Sequence, residues 1–162
     1  YKIRNRRCLI PLTGTYEYRG VKGWKNKVPY FAKPANQNLF FLPGLYSVAE
    51  LVDKESGEVQ QVWTYTMITR AANDLMKQIH NSGENRGRMP LFLPFEMSQQ
   101  WLDADLSTEQ YQAILDYEIP KEDLEYHTVF TLTGAKQRPD GLPKNEPWGW
   151  EKLPALGELN PD

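Results

Sequence analysis

Short runs of strand-forming residues follow one another through the first seventy positions, and this succession limits the fold more than any other feature of the 162-residue chain. RCLIPL (Arg7–Leu12) is an apolar run closed by a Thr13–Gly14 turn, after which Tyr16–Tyr18 resumes as a strand. VPYFA (Val28–Ala32) follows a loop of Gly, Lys and Asn. NLFFLPGLYS (Asn38–Ser47) is apolar at consecutive positions, which predicts a strand covered on both faces. KESGEV (Lys54–Val59) is a hairpin loop leading into VWTYTMITR (Val62–Arg70), whose Thr, Tyr, Val and Ile content favours a strand.

Helical spacing begins only after these runs. In Ala71–His80 the apolar residues Ala72, Leu75, Met76 and Ile79 share one face, which puts His80 at a helix end. NSGENRG breaks the pattern, and RMPLFL (Arg88–Leu93) is a further strand. Phe95–Leu102 is a helix, and Ser107 with Gln110 forms a capping box opening a helix over Thr108–Tyr117. EYHTVFTLT (Glu125–Thr133) alternates with period two. From Gly134 the chain is rich in Pro, Gly and Trp without periodicity, so residues 134–162 are expected as an extended surface tail. There is no repeat and no dividing linker. The expectation is one α+β domain over residues 1–162.

Composition removes some functions and leaves others. The formal net charge of −2 does not advertise a nucleic-acid binder, so an anionic partner must meet a local patch. The candidate is Lys2, Arg4, Arg6, Arg7, Arg19, Lys22, Lys25 and Lys27, although charge alone favours a solvated basic face. One cysteine makes neither an internal disulfide nor a four-ligand zinc site, and no run is long enough to span a membrane. We expect a cytoplasmic monomer with no metal and no cofactor.

Among reactive side chains Glu17 is the hardest to assign to packing. A carboxylate central in a strand, between Tyr16 and Tyr18, needs a partner or a task. Cys8 sits mid-strand, where a free thiol acts as a small hydrophobe. His127 alternates with its strand neighbours and is read as packing. His80 ends a helix beside a loop carrying Arg86 and Arg88, where a cation is favoured by the helix dipole. Helix capping accounts for it equally well.

The stretch RRCLIPLTGTYEY resembles the R-C-[LIV]-[IV]-P-x-x-G-[FWY]-Y-E-W signature of the SOS response-associated peptidase (SRAP) family. VPYF, LFFLPGLYS, YTMITRAAN and IH…RMPLFL follow in the family's order, from Arg6 to Leu102. The resemblance implies a strand-rich SRAP-like domain, a barrel-like mixed sheet with a few flanking helices. It implies a nucleoid-associated DNA-damage response protein that senses abasic sites in single-stranded DNA. It also implies a self-processing peptidase that exposes an N-terminal cysteine, whose amine and thiol close a thiazolidine cross-link on the sugar aldehyde. Glu17 would be the shared acid and base, and His80 would assist sugar ring opening and reversal. Thr69 falls where the family has a site hydroxyl. Tyr18 stands for the base-stacking Trp, and Arg86 or Arg88 would hold a phosphate.

The chain opens on Tyr1 rather than Met and reads as a piece of something longer. The family's nucleophilic cysteine is expected upstream of it. Cys8 cannot substitute, because its nitrogen is a peptide amide, and Tyr1 offers an amine without a thiol. The residues alone leave two other readings: a non-catalytic single-strand binder using Tyr16, Tyr18, Trp24 and the basic cluster, or a thiol peptidase using Cys8 and His80.

Overall fold

The computed structural model describes residues 2–158, so Tyr1 and the end of the tail, 159–162, lie outside the described residues. In chain order the elements are α1 (Lys2–Asn5), β1 (Arg7–Leu12), β2 (Thr15–Arg19), β3 (Val28–Pro34), β4 (Phe40–Val52), β5 (Val59–Met67) and β6 (Thr69–Ala71). They continue as α2 (Asp74–Ile79), β7 (Arg88–Pro90), α3 (Phe95–Gln100), α4 (Thr108–Asp116), a 3-10 turn (Lys121–Asp123) and β8 (Leu124–Thr128). The fold is α+β and rich in strands.

Among the described residues the strands form two three-stranded sheets, ordered β1-β4-β5 and β2-β3-β8, and a two-stranded ribbon, β6-β7. None of these orders returns on itself, so the barrel-like sheet expected above is open. Three strands are too few to curl shut, since even small closed barrels use about five. The chain divides into two compact units, each with its own three-stranded sheet.

The first unit takes in the residues up to Pro11, Phe40–Thr69 and Pro90–Glu118. Its core is Leu91, Leu93, Trp101 and Ile114, against which Leu9, Leu45, Ile68 and Tyr111 pack. Trp101 is fully buried, and its indole N–H is shared between Cys8 O and Gly44 O at 3.2 Å each. One donor thus ties β1 to β4 from within the core. The long strand β4 is covered on both faces only at its start, where Phe40, Leu42, Pro43 and Gly44 are buried. From Ala49 onward it is exposed and runs in a hairpin with β5, turning over Asp53–Glu58. The capping box is present as read: Ser107 Oγ accepts from Gln110 N, and Gln110 Oε1 accepts from Ser107 N.

The second unit takes in Leu12–Leu39, Arg70–Met89 and the chain from Ile119 onward. In its sheet β3 is central and antiparallel to both neighbours, with Glu17 opposite Tyr30 and Tyr30 opposite Thr128. Helix α2 starts at Asp74, three residues later than the apolar spacing predicts. Asn73 caps it, accepting from Met76 N at 2.9 Å, while Ala71 ends β6. Leu75, Met76 and Ile79 form its buried face. Strand β7 stops at Pro90 and β8 at Thr128, both shorter than the sequence patterns suggest. Beyond β8, Val129 pairs with Pro147 of the tail in an isolated bridge.

Candidate active site

Glu17 stands in the middle of β2, and strand alternation puts it and Arg19 on one face with Tyr16 and Tyr18 on the other. The tyrosines therefore do not flank the carboxylate, although they adjoin it in sequence. On their face Tyr16 meets the edge of Phe31 at 5.4 Å, and Phe31 stacks on His127 at 5.1 Å. His127 is thus held in packing, as its alternation suggested. On the Glu17 face the partner is His80, whose Nδ1 lies 3.5 Å from Glu17 Oε2. Both side chains are more than four-fifths buried.

The position of His80 is fixed by the backbone around it. Its Nδ1 lies 2.8 Å from Arg88 O, and a carbonyl only accepts, so Nδ1 carries the proton. The neutral ring then has its lone pair on Nε2. His80 N donates to Met76 O and His80 O accepts from Gly87 N, closing the intervening loop at its neck. Gly87, at φ 73°, adopts a backbone conformation that other residues rarely enter.

Asn81 joins the site without any sequence signal that marks it. Its Oδ1 accepts from Gly20 N at 2.7 Å and its Nδ2 donates to Gly20 O at 2.9 Å, tying the end of α2 to the end of β2. That pair holds His80 beside Glu17. An asparagine after a helix reads as a cap or turn residue, and nothing in its local pattern points to a partner sixty-one positions away.

Burial pushes the Glu17 carboxyl above the usual range, and the nearby His80 only partly opposes this. A carboxyl so shifted changes protonation state closer to neutral pH, which suits a group that must both take and give a proton.

The sequence profile described as "SOS response associated peptidase (SRAP)" matches residues 1–135. The chain belongs to the SRAP family. It is 30% identical over 131 residues to the abasic site processing protein YoqW of Bacillus subtilis, a match covering 81% of this chain and 53% of that protein. To the abasic site processing protein YobE of the same organism it is 29% identical over 135 residues, covering 83% and 56%. A crystal structure of a Bacteroides thetaiotaomicron protein superposes with a TM-score of 0.66 at 29% identity, covering 79% of this chain and 51% of that one. The chain spans about half the length of the relatives it matches.

The other residues implied by the SRAP resemblance are distributed as follows. Arg86 is exposed in the loop after α2, and the exposed Arg88 donates from Nη1 to Asn85 Oδ1 at 2.8 Å. Lys27 brings its amine to the same loop, 3.6 Å from where a Cβ on Gly83 would stand. Tyr18 is half-buried on the opposite face of β2 from Glu17. Thr69 begins β6 and belongs to the first unit, half-buried.

Two members of the basic cluster are spent on structure. Arg19 is 1% exposed and donates to Tyr30 Oη, Pro154 O and Ala155 O. Arg7 donates to Ile3 O and Asp103 O, and its guanidinium lies over the rings of Trp101 and Tyr111. Neither forms part of a solvated basic face. Arg4, Lys22, Lys25 and Lys27 remain exposed. Cys8 is half-buried, and desolvation pushes its thiol up, away from the thiolate that a nucleophile needs. Trp24, a stacking candidate, meets the ring of Trp150 at 6.3 Å. Among the described residues no three His, Cys, Asp or Glu side chains are grouped to hold a metal, and no helix is long and apolar enough to cross a membrane.

Proposed function

We propose that this chain carries the acid–base part of a protein that processes abasic sites in single-stranded DNA. The observation that carries the reading is the desolvated Glu17 carboxyl 3.5 Å from a histidine of fixed tautomer, in a chain of the SRAP family. Relatives named abasic site processing proteins support the substrate class.

In the full-length protein the reactive amine and thiol come from an N-terminal cysteine, exposed by self-processing peptidase activity. The amine adds to the aldehyde of the ring-opened sugar, and the resulting carbinolamine loses water to give an imine. The thiol then adds to the imine carbon and the nitrogen takes up a proton, closing a thiazolidine with one water released overall. Glu17 takes the proton from the attacking amine and returns one to the departing hydroxyl. His80, with Nδ1–H held by Arg88 O, offers Nε2 as the base that opens the sugar ring and assists reversal.

Arg86 or Arg88, with Lys27 nearby, meets the phosphates. Tyr18 offers a stacking face. Its ring and Glu17 leave β2 on opposite sides, so DNA reaching both bends around that edge strand. A denaturing gel of the full-length protein with an abasic oligonucleotide tests the reading. A covalent band supports it, whereas binding that dissolves under denaturation supports a non-catalytic single-strand binder.

A further inference from the structure

The described tail beyond residue 135 lies outside the family match, yet Pro147 within it pairs with Val129, just past strand β8 of the sheet that carries Glu17. Arg138 is 7% exposed and gathers the tail on itself, donating to Asp140, Pro143 O, Glu146 O and Pro147 O, with Trp148 beneath its guanidinium at 5.1 Å. The gathered tail then braces β8. Thr128 Oγ1 donates to Trp148 O at 2.6 Å, and Trp150 Nε1 donates to Val129 O at 3.0 Å. It reaches β2 as well, where Arg19 Nη1 donates to Pro154 O at 2.7 Å and Nη2 to Ala155 O at 3.2 Å.

Arg19 is two residues from Glu17 on the same face of β2, and its Nη1 also donates to the hydroxyl of Tyr30, the residue opposite Glu17. The oxygens accepting from this buried cation are neutral, a phenol and two tail carbonyls. A buried guanidinium without such acceptors is strongly disfavoured and would turn toward water. Water reaching Arg19 and Tyr30 reaches the neighbours of Glu17 on the same face.

We infer that Arg19 is a positioning residue for Glu17, and that the tail segment Leu153–Leu156 keeps the Glu17 side of the sheet dry by capping Arg19. The proposal rests on the acid–base reading above, but its physical content is separable from it. Glu17 faces His80 from the C-terminal cap of α2 and Tyr30 from β3, with Arg19 on its own strand.

The test uses the full-length protein, a variant with a stop codon after Lys152, and Arg19→Lys, which keeps the charge but loses the planar fork. Carbon-13 NMR of labelled glutamate follows the Glu17 carboxyl through pH titration, assigned by its loss in Glu17→Gln. Both perturbations should lower the Glu17 midpoint by about half a pH unit or more, because hydration favours the ionised form. In parallel, each should lower the maximal cross-linking rate roughly tenfold while the half-saturating DNA concentration changes less than about twofold, the pattern of a lost transition-state contribution. If either folded variant keeps the parental midpoint, the positioning role is overturned. An absent cross-link in the parent with shifted midpoints would instead overturn the proposed function and leave the tail's role standing. Should the truncated protein fail to fold, Arg19→Lys decides alone.

Discussion

Glu17 Oε2 and His80 Nδ1 lie 3.5 Å apart, yet the hydrogen bond of that nitrogen goes to Arg88 O at 2.8 Å. The carboxyl is therefore close to the imidazole without owning its proton. Held so, it keeps the consequence of its burial, a raised affinity for protons, while the ring keeps Nε2 free of the pairing at Nδ1.

This burial has a stability cost with a definite sign. The folded-state pKa of Glu17 is raised, so between the unfolded and folded values the folded protein binds more protons. Stability from this group is present below the unfolded value and is lost as pH rises through the folded one. Glu17→Gln should then raise Tm at pH 8 relative to the parent and give little difference at pH 4. Calorimetry at the two pH values checks this; a lower Tm for the variant at pH 8 would mean that attraction to His80 outweighs desolvation.

The loop after α2 should carry part of the salt dependence of DNA binding. For single strands the log–log slope is roughly −0.7 per phosphate neutralised. Arg88→Ala should reduce the slope by about one such contact, as measured by fluorescence anisotropy across a salt series. Removing both Arg86 and Arg88 without any change in slope would show that this loop does not meet the phosphate chain.

Cys8 should behave as a packed side chain. Its thiol is pushed up by desolvation, so iodoacetamide should label it far more slowly in the native protein than in urea. Cys8→Ala should leave cross-linking within about twofold of the parent. Loss of the cross-link on that substitution, in a protein that remains folded, would return the nucleophile to Cys8.

Gly44 marks a place where strands β1, β4 and β5 crowd. A Cβ there would stand 2.9 Å from Thr66 O, 3.0 Å from Ile10 Cδ1 and 3.1 Å from Cys8 Sγ. Since the nearest atom is backbone, Gly44→Ala should cost about 1–3 kcal/mol, the usual range for overpacking. Urea unfolding measures it, and an unchanged midpoint would mean that the hairpin gives way freely.

Much of the strand layout was legible because strand-type runs here are separated by Gly, Asn and Asp turns. RCLIPL is β1 residue for residue, and the hairpin between β4 and β5 turns where KESGEV indicated. Apolar spacing opens helix α2 too early because it ignores the competing claim of Asn73, a better cap than Ala71 is a helix opener. The candidate site was legible in Glu17 and His80, since an acid in a strand and a histidine at a helix end both ask for partners. Their juxtaposition was not, because it depends on Asn81 meeting Gly20 across the fold. Nor was the loss of Arg7 and Arg19 from the basic cluster, since local charge counts do not reveal which guanidinium is buried.

Glu17→Gln in the full-length protein, followed on a denaturing gel with an abasic single-stranded oligonucleotide, isolates the carboxyl's part in the chemistry. Cross-link formation should slow by about a hundredfold, a usual general acid–base contribution, while binding of an undamaged single strand stays nearly unchanged. Equal cross-linking rates for variant and parent would contradict the assignment of Glu17 as the acid and base of this site.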